Sequence, residues 1–299
     1  MAETTQPLSS LPARQTPSLL ASRRFRTAVF SAVIYLVILA GAFVLMIPFA
    51  WMVSTSLKQP GAVFDWPPKW IPEPVVWSNY PAAWNYLPFT TFLQNTLIIT
   101  ITTVFGQTLS ASLVAYSFAR LRWIGRNTLF LVVLATLMLP FHITMIPVFA
   151  IWKRFDAVDT LIPLIVPAFL GGGAFNIFLM RQFFMTIPPE LDDAAKIDGC
   201  GVLGIYGRII LPLSKPVIGT VAIFSFLFHW NDFLGPLIYL NSIDKYTLAL
   251  GLRLFQGQYN TKWELLMAAS VIVMMPVLLI YFLAQRYFVQ GIVFTGIKG

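Results

Sequence analysis

The chain has 299 residues, of which 58% are hydrophobic and 11% are charged, and its mean hydropathy is +0.76. Soluble domains carry roughly 25% charged residues, so this composition excludes a soluble globular protein and predicts one embedded in lipid. Disordered and collagen-like chains are excluded as well, and because Cys200 is the single cysteine, so is an intrachain disulfide scaffold.

Uncharged apolar segments predict six membrane-spanning helices, because about 20 consecutive apolar residues cross a bilayer as a helix. The predicted spans are residues 27–53, 91–119, 127–151, 160–180, 216–239 and 265–285. The arginines before the first span resemble a twin-arginine signal, but the apolar segment is too long for a signal peptide and lacks a cleavage site. The predicted fold class is therefore an all-α integral membrane protein with an uncleaved first helix.

The basic residues predict how these helices are oriented, since Lys and Arg concentrate in cytoplasmic loops. With a cytoplasmic N-terminus, 13 of the 20 Lys and Arg residues lie on the cytoplasmic side. Both termini are therefore predicted to be cytoplasmic. The net charge of +8 is spread over every inner loop, which argues against a nucleic-acid partner. Residues 1–22 predict a disordered cytoplasmic tail, and residues 23–299 a single transmembrane domain.

One cytoplasmic loop, residues 181–215 between the fourth and fifth spans, is long enough to dock a partner. Pro189 favours a helix start, and the acidic residues after it suit the positive end of a helix dipole. Gly199 can supply a positive-φ stop, and a second short helix would end at Pro212. The loop therefore predicts a helix, a turn and a second helix.

Two interpretations fit this loop. An amphipathic hairpin could lie on the membrane surface, but helices of that kind are usually rich in Lys and Arg. Here the first helix is acidic, and its carboxylates would pair with basic side chains of a soluble protein. These acidic residues are Glu190, Asp192, Asp193 and Asp198. A protein partner is therefore the favoured interpretation.

The same loop carries a motif with fixed spacing. Its positions are Asp193, Ala194 and Ala195, then Gly199, then Ile209, Leu211 and Pro212. Their order and spacing resemble the EAA loop of ATP-binding-cassette importer permeases, in which EAA is followed by three residues, G, nine residues, I, one residue and LP. Asp193 replaces the glutamate, which keeps the charge but shortens its reach. Residues 228–240 and 284–299 are similar to the smaller membrane subunit of maltose-type carbohydrate importers.

The resemblance implies roles for three segments. In the family the EAA loop couples the membrane helices to a cytoplasmic ATPase, which here assigns coupling to Glu190, Asp193, Ala194, Ala195, Asp198, Gly199, Ile209, Leu211 and Pro212. The C-terminal tail of relatives also reaches the ATPase, which points to Gly291, Gly296, Lys298 and Gly299. An outer loop contacts the substrate-binding protein, which points to Gln256, Gly257, Gln258 and Tyr259. A frayed terminus and a solvated loop are the respective alternatives for the last two segments.

Polar residues near the predicted spans are candidates for the translocation pathway or for helix interfaces. These residues are Asn95, His229, Asn231 and Asp232. Asp232 lies about 24 Å along a helix from Pro216, near the predicted outer surface, where an ion pair or a helix cap is the favoured role. Isolated polar side chains within spans more often bridge helices, which is the favoured role of the others.

The resemblance implies a permease subunit of an ATP-driven, binding-protein-dependent importer of sugars or oligosaccharides in the cell membrane. Its partners would be a second permease, a dimer of cytoplasmic ATPases, an extracytoplasmic solute-binding protein and the lipid bilayer. The chain lacks the Walker pattern GxxxxGK[ST], so we expect it to be non-catalytic and without a cofactor. ATP and magnesium would be bound by the partner ATPase.

Two alternative functions stay open. The first is import of glycerol phosphate esters, which relatives in the same family carry out, although no phosphate-binding arginine is evident within the spans. The second is a self-contained ion-coupled carrier, which would need buried carboxylates near the membrane midplane, and only Asp232 comes close. A membrane enzyme is disfavoured, because the patterns HExxH and GxSxG are absent.

Overall fold

The computed structural model describes residues 23–257 and 261–293. The described residues form helices and turns, with one isolated bridge between Gln256 and Thr261 and no strand. The α-helices are Arg23–Ser56 (α1), Asn79–Tyr86 (α2), Phe89–Arg120 (α3), Arg126–Ala135 (α4), Phe141–Arg154 (α5), Ile162–Ile165 (α6), Ala174–Thr186 (α7), Glu190–Ile197 (α8), Val202–Ile205 (α9), Leu211–Leu213 (α10), Lys215–Trp230 (α11), Leu234–Tyr239 (α12), Leu248–Arg253 (α13) and Trp263–Val293 (α14). The described residues fall into two compact units that meet between Met52 and Val53, and the packing described below belongs to the second.

Four helices of the described chain are long and apolar enough to cross a membrane, and two bent helix pairs bring the number to six if each pair is one span. The four are Phe25–Ser56, Phe89–Arg120, Ile162–Thr186 and Trp263–Gln285. The pairs are Arg126–Met138 with Phe141–Arg154, bent by 100°, and Val202–Leu213 with Lys215–Trp230, bent by 79°. The predicted helical membrane fold is therefore confirmed.

The helices differ from the predicted spans at positions where the backbone hydrogen bonding is interrupted. The segment predicted as the third span bends at Pro140, which has no N–H to donate. The segment predicted as the fifth span is helical only to Trp230, and the separate helix α12 follows.

The two ends of the chain were predicted to lie outside the spans. The last helix continues to Val293, so the first part of the tail predicted after Arg286 is helical. Residues 1–22, predicted as a disordered tail, lie outside the described residues.

The fourth predicted span contains a break that brings it close to α3. Gly171, Gly172 and Gly173 have φ values of +97°, +70° and +86°, a region that glycine occupies without a steric penalty. A Cβ at Gly172 would collide with the backbone carbonyl of Gln107 and with Ala111. The glycine break therefore permits direct backbone contact between this span and α3.

Helix α3 contributes to both apolar cores of the second unit and packs mainly against α7 and α11. One core lies along its C-terminal half and includes Ala111, Ala115, Met180, Phe184 and Val221. The other lies near its N-terminal end and includes Phe89, Phe92, Trp230, Leu248 and Ala268.

Polar side chains at the N-terminal end of α3 hold the loop between α12 and α13. Asn95 Nδ2 donates hydrogen bonds to the carbonyl oxygens of Asp244 at 2.9 Å and Tyr246 at 3.0 Å. Thr96 Oγ1 accepts one from the backbone N–H of Leu248 at 2.9 Å. The loop of residues 240–247, here called the α12–α13 loop, is thus attached to α3.

Asp159 also binds the α12–α13 loop, through residues other than those that α3 contacts. Its carboxylate accepts hydrogen bonds from the Ser242 hydroxyl at 2.5 Å and from the backbone N–H groups of Ser242 and Asn241, each at 2.9 Å. The Lys245 ammonium lies 2.9 Å from Asp159 Oδ2. These donors, the Ser242 hydroxyl foremost, hold the pKa of Asp159 well below its usual range.

We predict that Asp159→Asn lowers the apparent melting temperature of the detergent-purified protein by a few degrees at neutral pH. Because the folded-state pKa is depressed, the carboxylate stabilises the protein above its ordinary pKa of about 4 and loses this effect as pH falls through the folded-state pKa. The difference between wild type and variant should therefore shrink in acid. Melting curves at pH 7 and below pH 4 measure both effects.

Asp156→Asn is the matched control. Both aspartates have a positive φ, +61° at Asp159 and +50° at Asp156, but the exposed side chain of Asp156 makes no hydrogen bond within the described ranges. The Asp156→Asn variant should have the melting temperature of the wild type. A wild-type melting temperature in Asp159→Asn would contradict the prediction.

Candidate functional site

Residues 187–213, here called the EAA segment, fold as the predicted helix, turn and second helix. Helix α8 has three acidic residues in its first turn, where their negative charge interacts favourably with the positive end of the helix dipole. A second helical stretch runs from Val202 to Leu213.

A Schellman motif ends α8. The Cys200 N–H donates to the Ala195 carbonyl at 2.8 Å, and the Gly199 N–H donates to the Lys196 carbonyl at 3.0 Å. Gly199 has a φ of +79°, as predicted for the stop. No atom lies within 4 Å of a Cβ built at Gly199, so backbone conformation and not crowding within the chain accounts for this glycine.

Pro212 does not end the second helix, and that prediction was wrong. Tyr206–Ile210 form a π-helix immediately before it, and this wider turn accommodates a residue that cannot donate a backbone hydrogen bond. The helix breaks instead at Ser214, before α11 begins.

Polar side chains on one face of α3 hold the second helical stretch. Ser112 and Tyr116 are four residues apart and therefore lie one above the other. Ser112 Oγ is 2.6 Å from the hydroxyl of Tyr206, and the Tyr116 hydroxyl donates to the Val202 carbonyl at 3.1 Å. The aromatic rings of Tyr116 and Tyr206 also contact each other, with centroids 5.2 Å apart.

Arg120, one turn further along the same face of α3, holds the beginning of the EAA segment. Its Nη2 donates to the Ile187 carbonyl at 2.6 Å, and its Nη1 lies 3.6 Å from Asp192 Oδ2. The Arg120 and Asp192 side chains are only 7% and 11% exposed. Removing either partner would leave a buried charge unpaired, which is strongly destabilising.

Sequence reasoning missed this ion pair, because it used Arg120 only for orientation and assigned Asp192 to the helix dipole and, with the other acidic residues, to a soluble partner. That last assignment was wrong for Asp192, since its side chain is buried against Arg120. The spacing of Ser112, Tyr116 and Arg120 at the end of an apolar span was the available signal. Asp192 could also have been placed with Ala195 on the inward face of α8, since residues three apart share a helix face.

The outward side of the EAA segment combines carboxylates with apolar groups. Its exposed residues include Glu190, Asp193, Ala194, Ile197, Asp198, Gly199 and Leu203. Ile197 is 87% exposed and Leu203 is 75% exposed. In a membrane protein, exposed apolar groups of this kind contact either lipid or a protein partner. Anionic lipid would repel the neighbouring carboxylates, so the surface fits a protein better than the membrane.

Asp193, the first residue of the motif, is exposed and pairs with Lys196 at 2.8 Å. The hydrogen bond from Lys196 lowers the pKa of Asp193 from its usual range. The carboxylate is therefore ionised at neutral pH and accessible to a basic group of a partner.

Three of the remaining motif residues pack inward. Ala195 is buried in the core that α3 shares with α7, and Ile209 and Leu211 pack against the same core. Pro212 is exposed. The motif thus divides into an outward part, which includes Asp193, Ala194 and Gly199, and an inward part that attaches the segment to α3.

The structure does not gather the four candidate pathway residues into one site. Asn95 holds the α12–α13 loop, and His229 Nε2 is 3.2 Å from Gln107 Oε1, which bridges α11 and α3. Asn231 donates to the Leu227 carbonyl of its own helix at 2.8 Å. Asp232 accepts from the Gly235 N–H at 3.1 Å and thereby caps α12.

The candidate contact residues elsewhere are described only in part. Gln256 and Gly257 are exposed, and Gly291 lies within α14. Gln258, Tyr259, Gly296, Lys298 and Gly299 lie outside the described residues.

A family model described as the binding-protein-dependent transport system inner membrane component matches residues 107–294, which include the whole EAA segment. The chain belongs to this family, and it is a multi-pass inner-membrane protein. This confirms the resemblance to ATP-binding-cassette importer permeases.

Individual relatives and solved structures extend the comparison. The chain is 39% identical over 209 residues to an arabinooligosaccharides transport system permease protein, AraQ, of Halalkalibacterium halodurans, covering 70% of this chain and 74% of that protein. It is 34% identical over 274 residues to the sn-glycerol-3-phosphate transport system permease protein UgpE of Pectobacterium atrosepticum, covering 89% of this chain and 95% of that protein. A bacterial ABC transporter involved in the import of the acidic polysaccharide alginate shares the fold, with a TM-score of 0.78 at 23% identity over 89% of this chain and 98% of that chain.

We predict that Arg120→Gln and Asp192→Asn each free the EAA segment from α3. Loss of one partner of a buried ion pair costs about 3 kcal/mol or more, so local opening should increase by about a hundredfold. The initial rate of tryptic cleavage after Lys196 or Arg208 in the folded protein measures this opening.

Arg122→Gln is the control, because Arg122 is exposed beside the same helix end. The double variant Arg120→Gln/Asp192→Asn should be cleaved more slowly than either single variant, since no buried charge is left alone. Wild-type cleavage rates in both single variants would contradict the role of the pair.

Proposed function

We propose that this chain is the transmembrane permease subunit of an ATP-driven, binding-protein-dependent importer of sugars or oligosaccharides. The observation that supports this most directly is the EAA segment, whose outward face carries ionised Asp193 beside exposed apolar groups while its inward face is bonded to α3. The relative AraQ, named for arabinooligosaccharide transport, supports the substrate class.

The proposed assembly contains a second permease, a dimer of cytoplasmic ATPases and an extracytoplasmic solute-binding protein. The chain itself is non-catalytic, and the ATPase binds and hydrolyses ATP with magnesium. Residues 23–299 form one permease domain with six spans and both termini in the cytoplasm, and the EAA segment lies between the fourth and fifth spans. The C-terminal residues Gly291, Gly296, Lys298 and Gly299 contact the ATPase, and residues 256–259 contact the binding protein.

In the proposed mechanism, α3 carries movement from one membrane surface to the other. ATP-driven closure of the ATPase pair moves the EAA segment through contacts at Asp193, Ala194 and Gly199. Ser112, Tyr116 and Arg120 transfer this displacement to α3. Asn95 and Thr96 pass it to the α12–α13 loop, and the spans alternate between inward-open and outward-open states.

Import of a glycerol phosphate ester is the second candidate, because the relative UgpE is named for sn-glycerol-3-phosphate transport. The two candidates share the permease, ATPase and binding-protein architecture. They differ in which ligand, carried by the binding protein, stimulates the transporter.

The proposed function is tested by ATP hydrolysis in nanodiscs that contain this chain, its partner permease and the ATPase. Addition of the cognate binding protein loaded with an oligosaccharide should stimulate hydrolysis severalfold above the ligand-free rate. Stimulation only with a glycerol phosphate ester would establish the second candidate. Failure of the ATPase to assemble with the permease pair, together with ion-gradient-driven uptake by this chain alone, would contradict both.

We further predict that Gly199→Asp and Gly199→Asn reduce binding-protein-stimulated hydrolysis to the basal rate while membrane insertion stays normal. Asn tolerates positive φ, so its failure would identify close approach of the ATPase, and not backbone strain, as the reason for glycine. The readout is the stimulated rate at equal amounts of membrane-inserted protein.

The control is Gly201→Asp, at an exposed glycine with an ordinary φ of −74°. It should retain stimulation. Normal stimulated hydrolysis in Gly199→Asp would remove Gly199 from the coupling surface.

A further inference from the structure

A cavity of about 950 Å³ lies beside the N-terminal end of α14, on the side of the molecule that the proposed topology places outside the cytoplasm. Its walls include Asn79 from α2, Phe64 from the loop after α1, and Trp263 and Glu264 from α14. Gly257 and Thr261 line its rim. Gly257, one of the residues proposed to contact the binding protein, thus belongs to the cavity lining.

Glu264 is the unusual group in this cavity. The residue is only 6% exposed, yet within residues 23–257 and 261–293 its carboxylate has neither a hydrogen bond nor an ion pair. The nearby Lys262 does not neutralise it, because the Lys262 ammonium lies over the Tyr86 ring, 4.3 Å from its centroid. The first turn of α14 is a favourable place for a carboxylate, and because the described residues supply no ion pair to it, a cationic group of a partner can pair with it.

The other walls suit the stem of a long basic side chain. Phe64 and Trp263 meet edge to face with centroids 5.9 Å apart and form an apolar surface, against which methylene groups of Lys or Arg pack. Asn79 is fixed by hydrogen bonds from its Nδ2 to the carbonyls of Ser56 at 2.9 Å and Lys58 at 2.8 Å. Asn79 therefore forms a fixed polar wall of the cavity.

We propose that this cavity receives a lysine or arginine side chain of the extracytoplasmic binding protein, whose cationic head pairs with Glu264. The proposal rests on the proposed function, since it assumes that a binding protein docks on this side. Charge complementarity selects the occupant: a neutral sugar would leave the buried carboxylate without a counter-charge, whereas a basic side chain supplies both the charge and an apolar stem. Arg anchors seated in pockets are frequent determinants of affinity at protein interfaces.

The test uses the assembled transporter in nanodiscs and its loaded binding protein, titrated at two salt concentrations. Glu264→Gln should raise the half-saturating concentration of binding protein for stimulated hydrolysis about tenfold, with the maximal rate unchanged, because a charge-assisted contact is lost. Glu264→Asp keeps the charge, so its half-saturating concentration should lie between those of Glu264→Gln and the wild type. The salt dependence of the wild-type half-saturating concentration should be weaker in Glu264→Gln, since salt screens a charge pair.

Glu73→Gln, at an exposed glutamate in the loop between α1 and α2, is the matched control and should behave as wild type. An unchanged half-saturating concentration in Glu264→Gln would overturn the proposal while leaving the importer function intact. A change that appears only when free sugar is titrated without binding protein would also overturn it and would assign the cavity to the sugar. Absence of stimulation in the wild-type complex would instead refute the proposed function itself.

Discussion

The unbroken backbone hydrogen bonding of α3 is the constraint on which the rest of the second unit depends. The helix has 32 residues and a length of about 48 Å, and it contributes to both apolar cores. Polar side chains near its two ends hold different segments: Arg120 binds the start of the EAA segment, and Asn95 binds the α12–α13 loop. Because a helix transmits displacement along its axis with little deformation, these two attachments link segments at opposite ends of α3.

The elements around α3 are by contrast interrupted. Three consecutive glycines break the segment that contacts Gln107, and bends separate α4 from α5 and α10 from α11. In the proposed mechanism, such breaks are the positions at which the surrounding spans reorient, while α3 and its attached segments keep their contacts. A permease needs this combination, since one body must move as a unit and its neighbours must adjust to it.

Local sequence signals predicted much of this arrangement, and tertiary contacts account for the rest. Hydropathy located the apolar helices, and the acidic first turn and Gly199 predicted α8 and its stop because each depends on neighbouring residues only. Pro212 was misjudged, since a π-helix precedes it, and the packing of Tyr206 in that π-helix against α3 is a tertiary contact that the local sequence does not show. The ion pair of Arg120 and Asp192 joins residues far apart in sequence, so no local pattern specified it. The motif itself does not distinguish its outward part from its inward part.

We predict that α3, the EAA segment and the α12–α13 loop move as one body. The most direct measurement is the distance between spin labels at Arg208→Cys and Ile243→Cys, two exposed positions near opposite ends of α3, in a Cys200→Ser background within the assembled transporter. The distance should stay the same when ATP is bound, while distances from either label to the partner permease change. A change between the two labels approaching one helical turn, about 5 Å, would contradict the rigid connection through α3.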